Sequence, residues 1–171
     1  MRQIIIGLAL VFASLMVVAC GDQSDPAEQR IYLVRHAEKM TGPDPVLTDA
    51  GAVRADQLAV RLSDADLEEI HSTDFKRTLL TADPTSKATG LNVELYDPYD
   101  LTGFAETLLA SGKTALVVGH SNTTPELVDA LGGTPGEPIV EATEYDRLYV
   151  LTVTDGVVST EILRYGEPSP R

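Results

Sequence analysis

Two short, unbroken apolar runs, Ile31–Val34 and Ala115–Val118, most constrain what this chain can fold into. Four such residues with no polar break form the pattern of a strand covered on both faces. The segments between them carry a different period. Gly51, Ala55, Leu58 and Leu62 recur at spacings of four, three and four, which sets them on one helical face, with Arg54, Asp56, Gln57 and Arg61 outside it. Glu69–Ser72 reads as a brief strand, and a helix is expected from Asp74 or Phe75 towards Lys87, with Pro84 kinking it or ending it early. A strand at Leu91–Leu95 and a helix at Leu101–Leu109 follow. Thr123 or Thr124 is placed to cap a helix that carries Pro125 in its first turn and stops at Gly132-Gly133. Arg147–Thr154 and Val157–Leu163 flank Asp155-Gly156 as a hairpin. Strands alternating with helices predict an α/β fold, a three-layer α/β/α sandwich with a mostly parallel central sheet.

The amino terminus stands apart. Met1-Arg2-Gln3 is a short basic head, Ile4–Val18 is an apolar or small run of 15 residues, and Val17-Val18-Ala19-Cys20 closes it. This is a secretory leader pattern, too short for a comfortable spanning helix. Its end resembles a bacterial lipoprotein signal, in which the cysteine becomes the first mature residue and carries the lipid. An ordinary secretory signal and a short uncleaved anchor are the alternatives. The expected organisation is a signal peptide at 1–19, a lipidated Cys20 and flexible tether at 20–30, one domain at 31–166 and a disordered tail at 167–171. The expected location is outside the cytoplasm, with the domain anchored in a membrane and facing the periplasm or cell exterior.

Cys20 is the only cysteine, so the domain must be stable without an intrachain disulfide. Removing the first 19 of 171 residues leaves 152, enough for one well-buried core. The same cut removes Arg2 and takes the formal net charge from −13 to −14. Nucleic acid is therefore not an expected partner, because no basic face is available for a phosphate backbone.

In open parallel sheets, ligands bind beyond the carboxyl ends of the strands. Both apolar runs end there in the same chemistry, since Ile31–Val34 delivers Arg35-His36 and Ala115–Val118 delivers Gly119-His120-Ser121. The third histidine, His71, lies inside a short strand and reads as structural. Arg77 follows a third strand end, within Ser72-Thr73-Asp74-Phe75-Lys76-Arg77-Thr78. Two arginines and two imidazoles on one sheet edge make a cationic pocket in an acidic protein, suited to a small dianion such as a phosphoryl group.

Arg-His-Ala-Glu at 35–38, Ser72 with Arg77-Thr78, and Gly119-His120-Ser121-Asn122-Thr123 together resemble the histidine phosphatase superfamily, the phosphoglycerate-mutase-like family. The motifs stand in that family's order and span about residues 31 to 131. Asp44-Pro45-Val46-Leu47-Thr48-Asp49-Ala50-Gly51 is similar to a segment of its short members. The resemblance implies a phosphoglycerate-mutase-like fold and a phosphatase acting on a phosphomonoester or phosphoramidate. It makes His36 the nucleophile that becomes phosphohistidine, with its other ring nitrogen held by an acceptor such as a backbone carbonyl. Arg35, Arg77 and His120 hold the phosphoryl oxygens, with Asn122 or the backbone near Ser121 adding a hydrogen bond.

The general acid is where the chain departs from that pattern. The region that supplies a Glu in mutases is Glu94-Leu95-Tyr96-Asp97-Pro98-Tyr99-Asp100-Leu101, and the position after the second histidine is Ser121 rather than Asp. Asp97 and Asp100 are candidates by position, with turn former or helix cap as the other reading of each. Glu38 either steadies an arginine of the pocket or pairs at the surface with a neighbour, and Lys39 carries no assigned role. No metal or other cofactor is expected, for the chain has no His-x-x-x-His, no acidic triplet at ligand spacing and no glycine-rich nucleotide loop. The expected partner is a small phosphorylated substrate or a phosphoprotein. Two alternatives keep the fold: a catalytically weak lipoprotein that only binds phosphorylated ligands, and a phosphoglycerate-type mutase, for which the chain is short. Pocket walls are expected from loops at 40–48, 96–104 and 134–146, where Glu137, Glu141 and Glu144 add negative charge.

Overall fold

The computed structural model describes residues 28–170. The expected leader, Cys20 and the tether up to residue 27 lie outside them. The elements are β1 (Glu28–Arg35), α1 (Asp49–Arg61), β2 (Glu69–Ser72), α2 (Lys76–Thr89), β3 (Val93–Leu95), α3 (Leu101–Ser111), β4 (Ala115–Gly119), α4 (Thr123–Ala130), β5 (Arg147–Thr154) and β6 (Val157–Arg164). No helix among the described residues is long and apolar enough to cross a membrane.

The six strands form one sheet in the order β3-β2-β4-β1-β5-β6. The first four are parallel, and the β5–β6 hairpin adds to β1 antiparallel. The sheet is therefore mixed, with a parallel half that carries the helical crossovers. From β1 to β2 and on to β3 the chain steps towards one edge through α1 and α2, then returns to β4 through α3. Because such crossovers are right-handed, the reversal puts α3 on the opposite face from α1 and α2. Accordingly α1 packs on α2, and α3 on α4.

Alternation along the strands divides the core in two. Ile31, Leu33, Ala115 and Val117 bury with Leu108 and Leu127 under α3 and α4. Tyr32, Val34, Leu116 and Val118 bury with Leu58, Leu62 and Ile70 under α1 and α2. Each fully buried leucine contributes on the order of 2 kcal/mol, so neither face of the sheet carries a polar residue along Ile31–Val34 of β1 or Ala115–Val118 of β4.

Four local features differ from expectation or sharpen it. β1 starts at Glu28, so residues 28–30 of the expected tether are strand. Gln29 is 5% exposed and donates its amide to the carbonyls of Leu108 (2.7 Å) and Lys113 (3.0 Å), which lets a polar residue extend the strand. Pro84 does not end α2, which runs on to Gly90 in the left-handed conformation (φ 75°). Leu80, whose carbonyl loses its helical partner to the proline, lies on a solvent-reached face at 39% exposure. The expected disordered tail is packed through Ser169, which donates its N–H to Asp146 (3.2 Å) and accepts from the Tyr145 N–H through its hydroxyl (2.8 Å).

Candidate active site

Register brings three strand ends together. Arg35 lies opposite Gly119 and Ser72 opposite Val118, so His36, His120 and Thr73 leave β1, β4 and β2 side by side. The backbone N–H of His36 donates to Gly119 O at 2.9 Å and locks the first two ends in step. Here β1 departs to one face of the sheet and β4 to the other, the crevice in which open α/β sheets bind ligands.

His36 is 3% exposed. Its Nδ1 lies 2.8 Å from the carbonyl oxygen of Ala37, which can only accept, so Nδ1 carries the proton and Nε2 holds the lone pair. The N–H of Ala37 in turn donates to Thr81 Oγ1 at 3.0 Å, fixing the peptide that orients the ring. Burial, followed by the charges of Arg35, His120 and Arg77, pushes its pKa down to about 3. At neutral pH it is thus an uncharged imidazole with one free, basic nitrogen.

His120 stands with its ring centroid 5.7 Å from that of His36. Its Nδ1 faces Arg77 Nη2 at 3.4 Å and its Nε2 faces Thr73 Oγ1 at 3.0 Å. A guanidinium can only donate, which assigns the proton to Nε2. Thr78 spends its hydroxyl proton on the carbonyls of Thr73 and Phe75, both at 2.9 Å, so the Thr73 hydroxyl accepts from His120 and donates to Thr78. Three residues therefore hold His120 neutral with Nδ1 turned towards Arg77. Burial, then Arg77 and Arg35, depress its pKa to about 4.

The arginines are set by different means. Arg35 is 2% exposed, donates Nη1 to the carbonyl of Glu144 at 2.9 Å, and lies 4.1 Å from the centre of the Tyr145 ring. Arg77, in the first turn of α2, packs 4.4 Å from the Phe75 ring centre and meets Asp44 only at 3.9 Å. The Nε atoms of both are buried without a protein partner. Burial lowers the pKa of both guanidiniums, more than any neighbouring carboxylate raises it. A cleft of about 560 Å³ opens on Arg77 and His120, lined also by Phe75, Tyr99, Asn122 and Glu126 among others, while Arg35 lines a separate cleft with Lys39, Glu141 and Tyr145.

The remaining sequence candidates go elsewhere or to the rim. Asn122 is exposed and lines the cleft without capping α4. Asp97 and Asp100 are not cleft residues: Asp97 accepts from the Tyr99 N–H (2.9 Å) in a turn, and Asp100 caps α3 through the Gly103 N–H (3.0 Å). Turn geometry and helix capping, the other reading of each, engage one oxygen of both carboxylates. Glu38 turns away from the pocket to take a forked bond from Arg54 at 2.7 to 3.0 Å. Lys39 is exposed and bridges Leu47 through its backbone. His71 pairs with Glu69 at 3.2 Å, in keeping with a structural role. Among the described residues, no three His, Cys, Asp or Glu side chains converge as a metal site. Sequence reasoning did not single out Thr73, Phe75, Tyr145 or the Glu144 carbonyl. Thr73 was within reach, as the residue that follows β2, the short strand whose end reads as part of the pocket edge.

The model of the histidine phosphatase superfamily (branch 1) matches residues 31–98. No curated protein matches the chain in sequence. Among solved structures it is similar to the protein histidine phosphatase SixA complexed with tungstate, with a TM-score of 0.64 at 17% identity over 79% of this chain and 96% of that one. A mycobacterial glucosyl-3-phosphoglycerate phosphatase superposes with a TM-score of 0.63 at 13% identity, covering 82% and 100% of the two chains. The alpha-ribazole phosphatase from Shigella flexneri gives 0.61 at 15% identity, covering 79% and 96%.

Proposed function

We propose that this chain, whose residues 31–98 match the model of the histidine phosphatase superfamily, is a phosphatase of that superfamily and hydrolyses a phosphomonoester or phosphoramidate through a phosphohistidine on His36. The observation that carries this reading is the fixed tautomer of His36: a neutral ring whose Nδ1–H is tied to Ala37 O, leaving Nε2 as the nucleophile. In the first step the Nε2 lone pair forms the N–P bond as the bond to the leaving atom breaks in line. Arg35 and Arg77 bring buried donors to the phosphoryl oxygens, each such donor being worth on the order of 3 kcal/mol of barrier. His120 gains a proton when a dianion enters, and Nδ1–H then becomes a third donor. Water hydrolyses the N–P bond in the second step and returns phosphate.

The leaving atom takes its proton without help from Asp97 or Asp100. Aryl phosphates and phosphoramidates, whose leaving groups depart readily, are therefore favoured over alkyl esters. The decisive experiment is mass spectrometry after rapid alkaline quench of the protein mixed with acetyl phosphate. One added phosphoryl group mapped to His36, absent in His36→Ala, is the expected result. Binding of vanadate with no phosphoprotein and no turnover would instead identify a phosphate-binding protein.

A further inference from the structure

Beyond the phosphoryl pocket the cleft changes sign. Arg77 and His120 make part of its lining cationic, and the same lining takes in Asn122 and Glu126 from the start of α4 together with Phe75 and Tyr99. Glu126 is the only carboxylate lining this cleft. Among the described residues its side chain makes no hydrogen bond or ion pair, unlike Glu38, Glu69, Glu144 and Asp146, each of which has a cationic partner. The adjoining cleft, of about 530 Å³, shares Asn122 and Glu126 and adds Asp129 and Glu141, so negative charge continues outward from the leaving-group side.

Tyr99 supplies the second observation. It is 92% exposed, the largest exposure of any large apolar or aromatic residue in the described domain. Its backbone N–H is held by Asp97 Oδ1, and the Asp100 N–H by Asp97 O at 3.2 Å, so a pinned turn presents the ring at the cleft mouth. Phe75 is already committed to Arg77, whereas the Tyr99 ring has no cation over it. A carboxylate and an aromatic ring on the same opening are the two groups that attract an ammonium ion. The cleft as a whole is a dipole with its positive end at the phosphoryl site.

We propose that this cleft selects substrates whose leaving group carries a positive charge, with Glu126 as the specificity-determining residue and Tyr99 an aromatic ring of the same lining. The proposal rests on the hydrolase reading and names its substrate class: an ammonium-bearing aryl phosphate or phosphoramidate, either a small amine or a basic segment of a phosphorylated peptide. The position of Glu126 in the first turn of α4 also suits the helix dipole. That role would affect folding stability and not the choice between two substrates.

The test compares O-phosphotyramine with 4-propylphenyl phosphate, which have nearly the same size and leaving atom and differ in one ammonium group. With a solvent-exposed ion pair at Glu126 contributing up to about 1 kcal/mol, the wild type should favour the amine by up to roughly fivefold in kcat/KM. Glu126→Gln should bring that ratio to about one, and raising the salt concentration should shrink it in the wild type. Turnover of both substrates with a wild-type ratio near one, or a ratio unchanged in Glu126→Gln, overturns the proposal while leaving the phosphatase reading intact. Failure of the wild type to turn over either ester removes the phosphatase reading and this one with it.

Discussion

Acid should weaken this fold through the two imidazoles of the pocket. In an unfolded chain a histidine takes its proton near pH 6.5, whereas folded His36 and His120 resist protonation until about pH 3 and about pH 4. Below 6.5 the unfolded state therefore binds more protons than the folded state, and stability falls as pH drops through that window. Linkage between an unfolded pKa of 6.5 and these folded values gives a loss of about 2 kcal/mol for each ring at pH 5, and almost none at pH 8. About 4 kcal/mol in total is a large part of the stability of a domain this size. The assay is urea unfolding at pH 8, 6.5 and 5, comparing the wild type with His36→Asn/His120→Asn, in which neutral amides replace both rings. The wild type should lose about 4 kcal/mol more than the double variant across that range. Adding sulfate, which keeps its two charges throughout, should restore up to about half of the difference at pH 5, because a bound dianion makes the His120 imidazolium favourable. Parallel pH profiles for the two proteins would refute the reasoning, since both rings would then titrate alike folded and unfolded.

Two further substitutions probe what holds the site in place. Thr73→Val removes the oxygen that accepts from His120 Nε2 and leaves a buried N–H unpaired; kcat on an aryl phosphate should fall at least tenfold with urea stability reduced by about 1 to 3 kcal/mol, and unchanged kinetics would dismiss the hydroxyl chain. Arg54→Met leaves the Glu38 carboxylate without its forked partner, and urea unfolding at pH 7 should show a loss of about 3 kcal/mol, whereas a change under 1 kcal/mol would mean that Glu38 is fully hydrated.

Much of the architecture was legible because it rests on local pattern. Ile31–Val34 of β1 and Ala115–Val118 of β4 are continuous apolar runs covered on both faces, and the two histidines that follow them lie at one edge of the sheet for that reason. The segment Asp44–Gly51 also has a local logic that the structure explains. Thr48 caps α1 through the Gly51 N–H, Asp44 caps α2 from a distance through the Lys76 N–H, and any side chain at Gly51 would collide with the Glu38 carbonyl. What escaped sequence reading is long-range. The Glu144 carbonyl reaches Arg35 across 109 positions, and Ser169 holds the loop bearing Tyr145 from the last turn of chain. Gln29 escaped because its burial depends on two carbonyls about 80 residues away. Asp97 and Asp100 stayed ambiguous in the sequence because turn and cap positions favour the same residue type as proton transfer.

Charge pairing separates the pocket from the rest of the protein. Asp and Glu outnumber Lys and Arg by 26 to 13 in this chain, so an arginine without a bonded carboxylate is unpaired by geometry and not by scarcity. Arg54 forks onto Glu38, Arg147 pairs with Glu144 at 2.6 Å, and Arg164 reaches both Glu144 and Asp146 at 2.7 Å. Arg35 has only a carbonyl and an aromatic face, and Arg77 has Asp44 at 3.9 Å. Leaving two guanidiniums and two uncharged imidazoles desolvated around one point lowers the stability of the empty fold. The same desolvation strengthens each donor once a dianion is present. Arginines without a bonded carboxylate, depressed imidazoles and the pH dependence of stability are thus one arrangement, of the kind the proposed phosphoryl chemistry asks for.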